Sequence, residues 1–465
     1  MKKIYLIGIC GTAMATLAVL LKQRGFYVCG SDMNTYPPMR DFLVGNGITP
    51  LEGYSANHIS KDIDLVVIGN AVSRGNPEIE AVLERGLRYS SLPDVVRNEF
   101  LWNKKSIVIA GTHGKTTTAF MTAWVLIQAG LDPGFLIGGI SKNFDSGGCL
   151  GKGEAFVIEG DEYDSAFFDK TSKFLKYIPE VVVVNSVEFD HADIYKNLDE
   201  LRLAFTRLLQ LVPQNGHVFL CADNPEAVKL RTSSFCSVET FGLCSQADWR
   251  AINIRHENSS TKFDVIHKGQ LMASARLPLL GNFNVRNALA VFGVAAAMNV
   301  SPAVVSVALN KFLGVRRRLE VRGVVRGVTV YDDFAHHPTA VHETLQALRA
   351  TAVEGRLWAV FEPRSATSCR KIFQEKFVES LGLADEVVIS AVSRTNLPET
   401  ERLSVSNLVA SLKAEGTPAR YLPKVDQIVE MISRETCPGD RVVVMSNGDF
   451  GDIHTRLLAA LKLNK

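Results

Sequence analysis

The sequence has almost no net charge, because 51 lysines and arginines stand against 49 aspartates and glutamates. A chain without a large basic excess has no overall electrostatic attraction to nucleic acid or to an anionic membrane surface. We therefore expect no nucleic acid and no membrane among its partners. Basic residues that matter for function should act locally, where they would contact the phosphates of a small ligand.

Clustered cysteines are also missing. The eight cysteines are scattered along the chain, and none forms a Cys-x-x-Cys pair. A disulfide framework or a cysteine zinc site would require such clustering. Free thiols in a reducing compartment are the simpler interpretation, so we expect the protein to be cytoplasmic.

A third absence is a long uninterrupted hydrophobic run. The basic start Met1–Lys3 and the apolar segment Ile4–Leu21 superficially resemble a secretory signal peptide. Gly8, Gly11 and Thr12 interrupt that segment, and the pattern favours a strand, a tight turn and the start of a helix. No later segment reaches the roughly 18 consecutive apolar residues that are needed to span a bilayer. The sequence thus predicts a soluble protein.

Short apolar runs alternate with helical patterns along most of the 465 residues, which predicts an α/β fold of parallel sheets covered by helices. The polar, irregular stretch Leu92–Lys105 indicates a domain boundary near residue 104, and a second is expected near Gly314. We predict domains at residues 1–103, 104–314 and 315–465, with antiparallel strands within residues 216–280. The main predicted strands are Ile4–Ile9, Tyr27–Gly30, Leu65–Ile68, Ser106–Ala110, Ala155–Ile158, Val181–Asn185, Val328–Tyr331, Leu357–Phe361, Glu386–Ile389 and Arg441–Met445.

A glycine- and lysine-containing loop follows the predicted strand Ser106–Ala110. This segment, called the ATP loop below, consists of Gly111, Thr112, His113, Gly114, Lys115, Thr116 and Thr117. Glycines let backbone N–H groups surround phosphate at a helix N-terminus, Lys115 would neutralise phosphates, and the Thr116 hydroxyl would contact Mg²⁺. Ile109 stands where the common P-loop has its first glycine, so the match is to a shortened form. A chance turn at a strand end is the alternative.

Acidic residues follow two other predicted strands. Glu159–Glu162 follows Ala155–Ile158, and Asp190–Asp193 comes shortly after Val181–Asn185. The carboxyl ends of parallel strands meet at one edge of a sheet, so both clusters should lie beside the ATP loop. Mg²⁺ prefers oxygen ligands, which carboxylates supply. Each cluster alone could be a solvated loop, but their convergence favours a magnesium site.

Six segments together resemble the Mur ligases, which build the peptide of bacterial cell-wall precursors. These segments are Gly111–Thr117, Glu159–Asp164, Asn185–His191, Gly281–Asn287, Arg317–Glu320 and Tyr331–Pro338. The resemblance implies a Rossmann-like N-terminal domain for a UDP-sugar, a central P-loop ATPase domain with a mostly parallel sheet, and a Rossmann-like C-terminal domain for the incoming amine.

The resemblance also implies roles for individual residues. It assigns Lys115 to the ATP phosphates and, as Mg²⁺ ligands, the three residues Thr116, Glu159 and His191. Asn284 and Asn287 match the region that contacts adenine, Arg318 a phosphate-contacting arginine, and Asp332 a nucleotide contact. From the residues alone, both asparagines could instead cap a helix. Arg316–Arg318 could likewise be a solvated charge run at a linker.

The N-terminal loop lacks the Gly-x-Gly-x-x-Gly dinucleotide fingerprint, since Cys10 and Ala13 stand at glycine positions. A nucleotide could still bind at the helix N-terminus, and Asp32 ends a strand where a carboxylate commonly meets a ribose hydroxyl. We expect the uridine diphosphate part of a sugar nucleotide there and no oxidoreductase activity. The expected contacts are Gly8, Cys10, Gly11, Thr12, Asp32 and Asn70.

Further segments narrow the resemblance to the branch that acts on UDP-N-acetylmuramate. Tyr163 stands where the alanine-adding members typically have serine, and Glu362–Arg364 where they have Gln-Pro-His-Arg. The resemblance therefore favours addition of a tripeptide, L-alanyl-γ-D-glutamyl-meso-diaminopimelate, through an acyl phosphate. Alanine addition is the near alternative, and a regulatory protein that hydrolyses ATP without ligation is the distant one. His337, Arg364 and Ser365 are further expected substrate contacts, with Arg364 near the carboxylates of the amine substrate.

Two positions depart from the family pattern. Phe283 stands where histidine is common, and no lysine lies between Asp199 and Gln214 to be carbamylated, as happens in other members. The missing lysine leaves the number of Mg²⁺ ions open. The preferred third residue of the peptide, meso-diaminopimelate or lysine, is also open. We expect a monomer or a weak homo-oligomer, with hinge motion near residues 104 and 314.

Overall fold

The computed structural model describes residues 1–36, 38–351, 354–393 and 397–463. Three large sheets follow one another along the chain, and helices cover their faces. None of the helices in these ranges is long and apolar enough to cross a membrane.

The first sheet has five strands in the order β3-β2-β1-β4-β5, and every neighbouring pair is parallel. The strands are β1 (Lys3–Ile7), β2 (Tyr27–Asp32), β3 (Leu51–Glu52), β4 (Leu65–Ile68) and β5 (Tyr89–Ser91), with helices α1 (Thr12–Gln23), α2 (Met39–Gly45), α3 (Pro77–Glu84) and α4 (Leu92–Val96). The turn between β1 and α1 begins at Gly8, where φ is 81°. This is the Rossmann-like arrangement that the sequence predicts.

The second sheet has ten strands in the order β17-β16-β15-β14-β13-β12-β6-β9-β7-β8. They are β6 (Lys105–Ala110), β7 (Gly134–Leu136), β8 (Gly148–Cys149), β9 (Ala155–Gly160), β12 (Val181–Val184), β13 (His217–Cys221), β14 (Ser237–Gly242), β15 (Trp249–His256), β16 (Thr261–His267) and β17 (Gln270–Leu277), while β10 (Asp164–Ala166) and β11 (Asp169–Ser172) form a separate hairpin. The helices are α5 (Lys115–Gln128), α6 (Leu198–Gln210), α7 (Pro225–Lys229), α8 (Asn282–Ala297) and α9 (Pro302–Leu309).

The third sheet has six strands in the order β18-β19-β23-β20-β21-β22, and only the edge strand β18 is antiparallel to its neighbour. The strands are β18 (Glu320–Val325), β19 (Val328–Asp333), β20 (Leu357–Phe361), β21 (Glu386–Ile389), β22 (Ala419–Tyr421) and β23 (Arg441–Met445). The helices are α10 (Pro338–Arg349), α11 (Gln374–Leu381), α12 (Val405–Ala414), α13 (Val425–Glu435) and α14 (Ile453–Leu463).

One expectation about local structure is wrong. The segment Leu92–Lys105, described above as irregular, is helical for most of its length, because α4 continues into a π-helix over Arg97–Leu101 that buries Phe100 and Leu101. The antiparallel strands predicted within residues 216–280 are confirmed by β15, β16 and β17, whereas β13 and β14 extend the parallel sheet. The valine-rich runs were predicted correctly because both faces of a central parallel strand are buried.

The first two sheets share one apolar core. Leu20 and Leu101 belong to the same buried cluster as Leu136, Phe156 and other side chains of the second sheet. The third sheet has separate cores on its two faces. Many of its contacts with the middle of the chain are polar, such as the Thr339 hydroxyl that donates to Glu188 at 2.6 Å. Polar side-chain contacts of this kind thus link the C-terminal residues to the rest of the molecule.

Candidate active site

A cleft of about 1620 Å³ lies where the three sheets meet. It is lined from the first sheet by the turn after β1, from the second by the ATP loop, and from the third by residues after β19. Of the predicted site residues, the cleft is lined by Gly8, Cys10, Gly11, Thr12, Asp32, Asn70, Thr112, His113, Gly114, Lys115, Thr116, Thr117, Glu159, His191, Asn284, Asn287, Arg318, Asp332, His337 and Arg364. Gly111 and Ser365 are not among its lining residues.

The ATP loop joins β6 to α5 and holds the helix N-terminus open. Gly111 and Gly114 have φ of 124° and 77°, which side-chain-bearing residues rarely adopt. The N–H of Thr112 donates to the Ser186 carbonyl at 2.8 Å, and the N–H of His113 to the Ser186 hydroxyl at 3.0 Å. No side chain caps α5. The free N–H groups of its first turn can therefore bind phosphate.

Glu162 occupies the centre of the charged network beside this loop. Its carboxylate accepts from Lys115 Nζ at 2.8 Å and lies 2.9 Å from His191 Nε2. Glu162 is fully buried, and burial alone would raise its pKa, but the Lys115 charge and the His191 hydrogen bond lower the pKa overall. Sequence reasoning did not single out Glu162, although it stands in the acidic run after β9.

The predicted metal ligands form two groups. Glu159 accepts from the Thr116 hydroxyl at 2.9 Å and from the Gly138 N–H at 2.8 Å, whereas His191 contacts Glu162. Burial raises the pKa of Glu159, against the lowering effect of Lys115. Burial also acts to lower the pKa of His191, but hydrogen bonding to Glu162 raises it overall.

His191 has a backbone φ of 55°, an uncommon conformation for a residue with a side chain. Its N–H donates to Asp190 Oδ1 at 2.7 Å and lies 3.1 Å from Thr367 Oγ1. Thr367 also hydrogen-bonds with Asp190 and belongs to the C-terminal part of the chain. Contacts from two sheets thus hold this strained residue at the cleft.

Asn284 and Asn287 lie in the first two turns of α8 rather than at its cap. Gly281 is the N-cap residue of that helix. Asn284 donates to the Leu280 carbonyl at 2.7 Å and Asn287 to Asn284 Oδ1 at 3.3 Å. The capping alternative is therefore wrong for both residues. Both asparagines are buried and line the cleft, where their side chains could contact a nucleotide base.

The three consecutive arginines have different environments. Arg316 is exposed and pairs with Asp145 at 3.1 Å. Arg318 is partly buried, donates to the Thr116 hydroxyl at 3.3 Å and lies over the Phe334 ring, and burial lowers its pKa. A solvated charge run therefore describes Arg316 but not Arg318.

Of the predicted site residues in the C-terminal part of the chain, Asp332 and Arg364 line the cleft, whereas Ser365 does not. Asp332 is 2% exposed and its carboxylate lies 3.2 Å from Arg322 Nη1. Arg364 contacts Asp449 at 3.3 Å, and both residues line the cleft. Ser365 is buried and hydrogen-bonds with the Ser368 hydroxyl at 2.9 Å, so it supports the turn that carries Arg364.

At the N-terminal loop, Asp32 accepts from the Cys10 N–H at 2.9 Å. The Gly8 N–H and the Ile9 N–H both donate to the Ser31 carbonyl, at 2.9 and 3.0 Å. The carboxylate at the end of β2 therefore holds the loop as well as facing the cleft. These contacts keep Gly8 and Cys10 at the carboxyl edge of the first sheet.

Three domain families match successive parts of the chain. Residues 3–99 match the Mur ligase family catalytic domain, residues 109–295 the Mur ligase middle domain, and residues 317–448 the glutamate ligase domain of Mur ligases. The chain therefore belongs to the Mur ligase family, a family of ATP-dependent, ADP-forming ligases that make C–N bonds.

Full-length relatives lie within this family. The chain is 41% identical over 460 residues to the UDP-N-acetylmuramate–L-alanyl-γ-D-glutamyl-meso-2,6-diaminoheptandioate ligase of Escherichia coli, covering 99% of this chain and 98% of the relative. A crystal structure of a murein peptide ligase from Psychrobacter arcticus is 36% identical, with a TM-score of 0.75 and full coverage of both chains.

Ligases that add alanine are also similar. The UDP-N-acetylmuramate–L-alanine ligase of Clostridium tetani is 32% identical over 450 residues, which is 97% of this chain and 96% of the relative. The crystal structure of such a ligase from Thermotoga maritima is 25% identical, with a TM-score of 0.83 over the whole of both chains.

Proposed function

We propose that this protein is an ATP-dependent ligase that joins UDP-N-acetylmuramate to the tripeptide L-alanyl-γ-D-glutamyl-meso-diaminopimelate in peptidoglycan recycling. The observation that best supports ligase chemistry is the hydrogen bond from Arg318 to the Thr116 hydroxyl, at 3.3 Å, in a cleft lined by residues of all three sheets. The tripeptide is favoured over alanine by the higher identity to the diaminoheptandioate ligases, 40–41% against 32–34% for the alanine ligases.

The reaction begins at the lactyl carboxylate of UDP-N-acetylmuramate. A carboxylate oxygen attacks the γ-phosphorus of ATP, and the bond between that phosphorus and the β,γ-bridging oxygen breaks. ADP is the leaving group, and the product is an acyl phosphate. The amine of the tripeptide then attacks the acyl carbon, the C–O bond to phosphate breaks, and the amine loses a proton as the amide forms. The products are the amide, ADP and phosphate.

Lys115 and Arg318 would stabilise the transferring phosphoryl group. Most catalysis of phosphoryl transfer comes from positioning and from charges that offset those on the phosphoryl oxygens. The Lys115 ammonium is paired with the Glu162 carboxylate at 2.8 Å. A bound phosphate would share that ammonium with the buried carboxylate.

Mg²⁺ fits the oxygen atoms beside the ATP loop. The Thr116 hydroxyl and the Glu159 carboxylate lie 2.9 Å apart at the start of α5, and both line the cleft. Thr116, Glu159 and His191 would hold the ion, and all three line the cleft. When bound, the ion would offset phosphate charge.

The three predicted domains would divide the substrates between them. Residues 1–103 would bind the UDP part of the sugar nucleotide through the Gly8–Thr12 turn and Asp32, with Asn70 nearby. Residues 104–314 would bind ATP, with Asn284 and Asn287 at the adenine. Residues 315–465 would supply Asp332 to the nucleotide, and His337 and Arg364 to the substrates.

The decisive experiment measures phosphate release with different substrate combinations. We expect release to require UDP-N-acetylmuramate and the tripeptide together, and the tripeptide to be preferred over L-alanine. A preference for L-alanine would favour the alternative supported by the 0.83 TM-score to an alanine-adding ligase. Release without any amine would instead point to a protein that hydrolyses ATP without ligation.

The ATP loop is tested by Lys115→Ala in the same assay. Removing one charge that offsets the phosphoryl group should lower kcat/KM by at least about 100-fold. Lys268→Ala is the matched control, because Lys268 is also paired with a glutamate, at 2.5 Å, but lies 57% exposed on the second sheet. Retained turnover in Lys115→Ala would refute the role given to the loop.

A further inference from the structure

A second group of metal-ligating side chains lies in the cleft and shares no residue with the magnesium site proposed above. It consists of His113 in the ATP loop, Glu188 after β12, and His337 at the N-cap of α10. Each contributes one ligand atom, and these atoms lie within 4.8 Å of one another. All three residues line the cleft, so an ion could reach them from it.

The spacing of the three ligand atoms is close to that of a metal site. Glu188 Oε2 lies 3.5 Å from His113 Nε2 and 3.7 Å from His337 Nδ1. Donor atoms on a tetrahedral Zn²⁺, each about 2.0–2.1 Å from the metal, are themselves roughly 3.3 Å apart. Both distances from Glu188 exceed that value by only a few tenths of an ångström, and the two histidine nitrogens lie within 4.8 Å of each other.

Neighbouring groups orient the His337 ring for this role. Its Nε2 lies 3.3 Å from the Phe189 carbonyl, an acceptor, so Nε2 carries the proton. Nδ1 is then the unprotonated nitrogen, and its lone pair accepts from the Thr339 N–H at 3.3 Å, so a bound ion would replace that hydrogen bond. A ligating histidine commonly donates its other N–H to a backbone carbonyl, and the Nε2–H of His337 makes that contact with Phe189.

His113 Nε2 is a buried nitrogen that makes no hydrogen bond within the described parts of the chain. A buried polar atom without a partner costs free energy unless something else binds it. The His113 and His337 rings lie 4.8 Å apart at an angle of 46°, so both can approach one ion without stacking. The nitrogen that lacks a hydrogen bond thus lies 3.5 Å from the Glu188 carboxylate and next to the His337 ring.

The donor atoms of the group also suit a transition metal. Two imidazoles and one carboxylate with a fourth position open are a common zinc set. Mg²⁺ favours sites whose ligands are mostly oxygen atoms, such as those of Thr116 and Glu159.

We propose that His113, Glu188 and His337 form a binding site for a divalent transition metal ion, with Zn²⁺ the best fit, separate from the magnesium site. An ion there would tie the ATP loop to the C-terminal residues, since His113 precedes α5 and His337 begins α10. It would thereby restrain the opening of the cleft.

The test is a Zn²⁺ titration of the full chain by equilibrium dialysis in excess Mg²⁺, which occupies oxygen-ligand sites. We expect one retained Zn²⁺ per chain. His113→Asn and His337→Asn should each lose that equivalent, and Glu188→Gln should bind more weakly. His267→Asn is the matched control, because His267 also lies 3.2 Å from a glutamate, Glu239, but outside the cleft.

Cobalt distinguishes this site from the free cysteines, two of which, Cys149 and Cys437, are exposed. Co²⁺ at the proposed site should give visible d–d bands without the near-ultraviolet charge-transfer band of a thiolate ligand. A thiolate band, no retained Zn²⁺ in excess Mg²⁺, or unchanged binding in the folded His113→Asn protein would each overturn the proposal. If His337→Asn does not fold, His113→Asn decides alone.

Discussion

At the scale of single residues, Glu162 decides the charge balance of the site. It is the fully buried partner of both Lys115 and His191, at 2.8 and 2.9 Å. A buried ion pair contributes little net stability, but removing one partner leaves the other charge uncompensated. The protonation of His191 and the stability of the buried Lys115 ammonium therefore both depend on one carboxylate.

Glu162→Gln should destabilise the nucleotide-free protein by about 3 kcal/mol, because the Lys115 charge then lacks its buried counterion. The pKa of His191 should fall, since Glu162 contributes most to raising it against burial, ahead of Asp190. Chemical denaturation gives the first quantity and NMR titration of the histidine rings the second. Glu430→Gln, which breaks an exposed pair with Arg434 on α13, should cost less than about 1 kcal/mol. An unchanged His191 pKa in Glu162→Gln would contradict this account.

At the scale of elements, the conformation of the ATP loop at the start of α5 depends on how closely neighbouring side chains approach its backbone, as well as on charge. A Cβ at Gly114 would lie 2.6 Å from Asn287 Oδ1 and 2.8 Å from Asn185 Nδ2. Gly130, at the other end of α5, has nearly the same φ, 79° against 77°, but a Cβ there would meet nothing within 4 Å. Comparing the same substitution at Gly114 and at Gly130 therefore separates the effect of backbone strain from that of steric crowding.

Gly130→Ala should cost about 1–2 kcal/mol from the left-handed backbone alone and leave ADP binding unchanged. Gly114→Ala should cost more than that, because strain and crowding add, and should weaken ADP binding, because the loop must shift away from Asn185 and Asn287. Thermal unfolding and calorimetric titration with ADP measure the two effects. Equal losses in both variants would mean that crowding at Gly114 is unimportant.

The elements also show where sequence patterns are informative. Leu65–Ile68, Leu357–Phe361, Glu386–Ile389 and Arg441–Met445 were predicted to the residue, because buried parallel strands are short continuous apolar runs. The π-helix Arg97–Leu101 was missed, since its exposed polar residues interrupt the apolar period. The direction of β13 and β14 was also missed, because strand direction depends on which strand lies alongside.

At the scale of the whole molecule, the attachment of the three sheets differs. The first and second share a continuous apolar core, whereas polar pairs such as Arg286 with Glu343 join the third to the second. Apolar interfaces resist opening more than polar ones, so the hinge predicted near residue 314 should move more than the hinge near residue 104.

Small-angle scattering should therefore show a smaller radius of gyration when an ATP analogue and UDP-N-acetylmuramate are both bound. The reason is that ligands contacting both sides of the cleft favour its closed state. The Lys115→Ala protein, which should not bind the nucleotide productively, is the control and should not change. Scattering that is identical with and without both ligands would rule out closure by hinge motion.

The α/β fold, the ATP loop and the family could all be predicted from the order of amino acids, because these depend on local periodicity and on residues that are neighbours along the chain. Which side chains meet across the cleft depends instead on the tertiary structure. Glu162 contacts Lys115 and His191, and Glu188 lies close to His113 and His337. The partners in these pairs are 29 to 149 residues apart along the chain. Such pairings depend on the order of strands in a sheet and on the docking of domains, which no local pattern encodes.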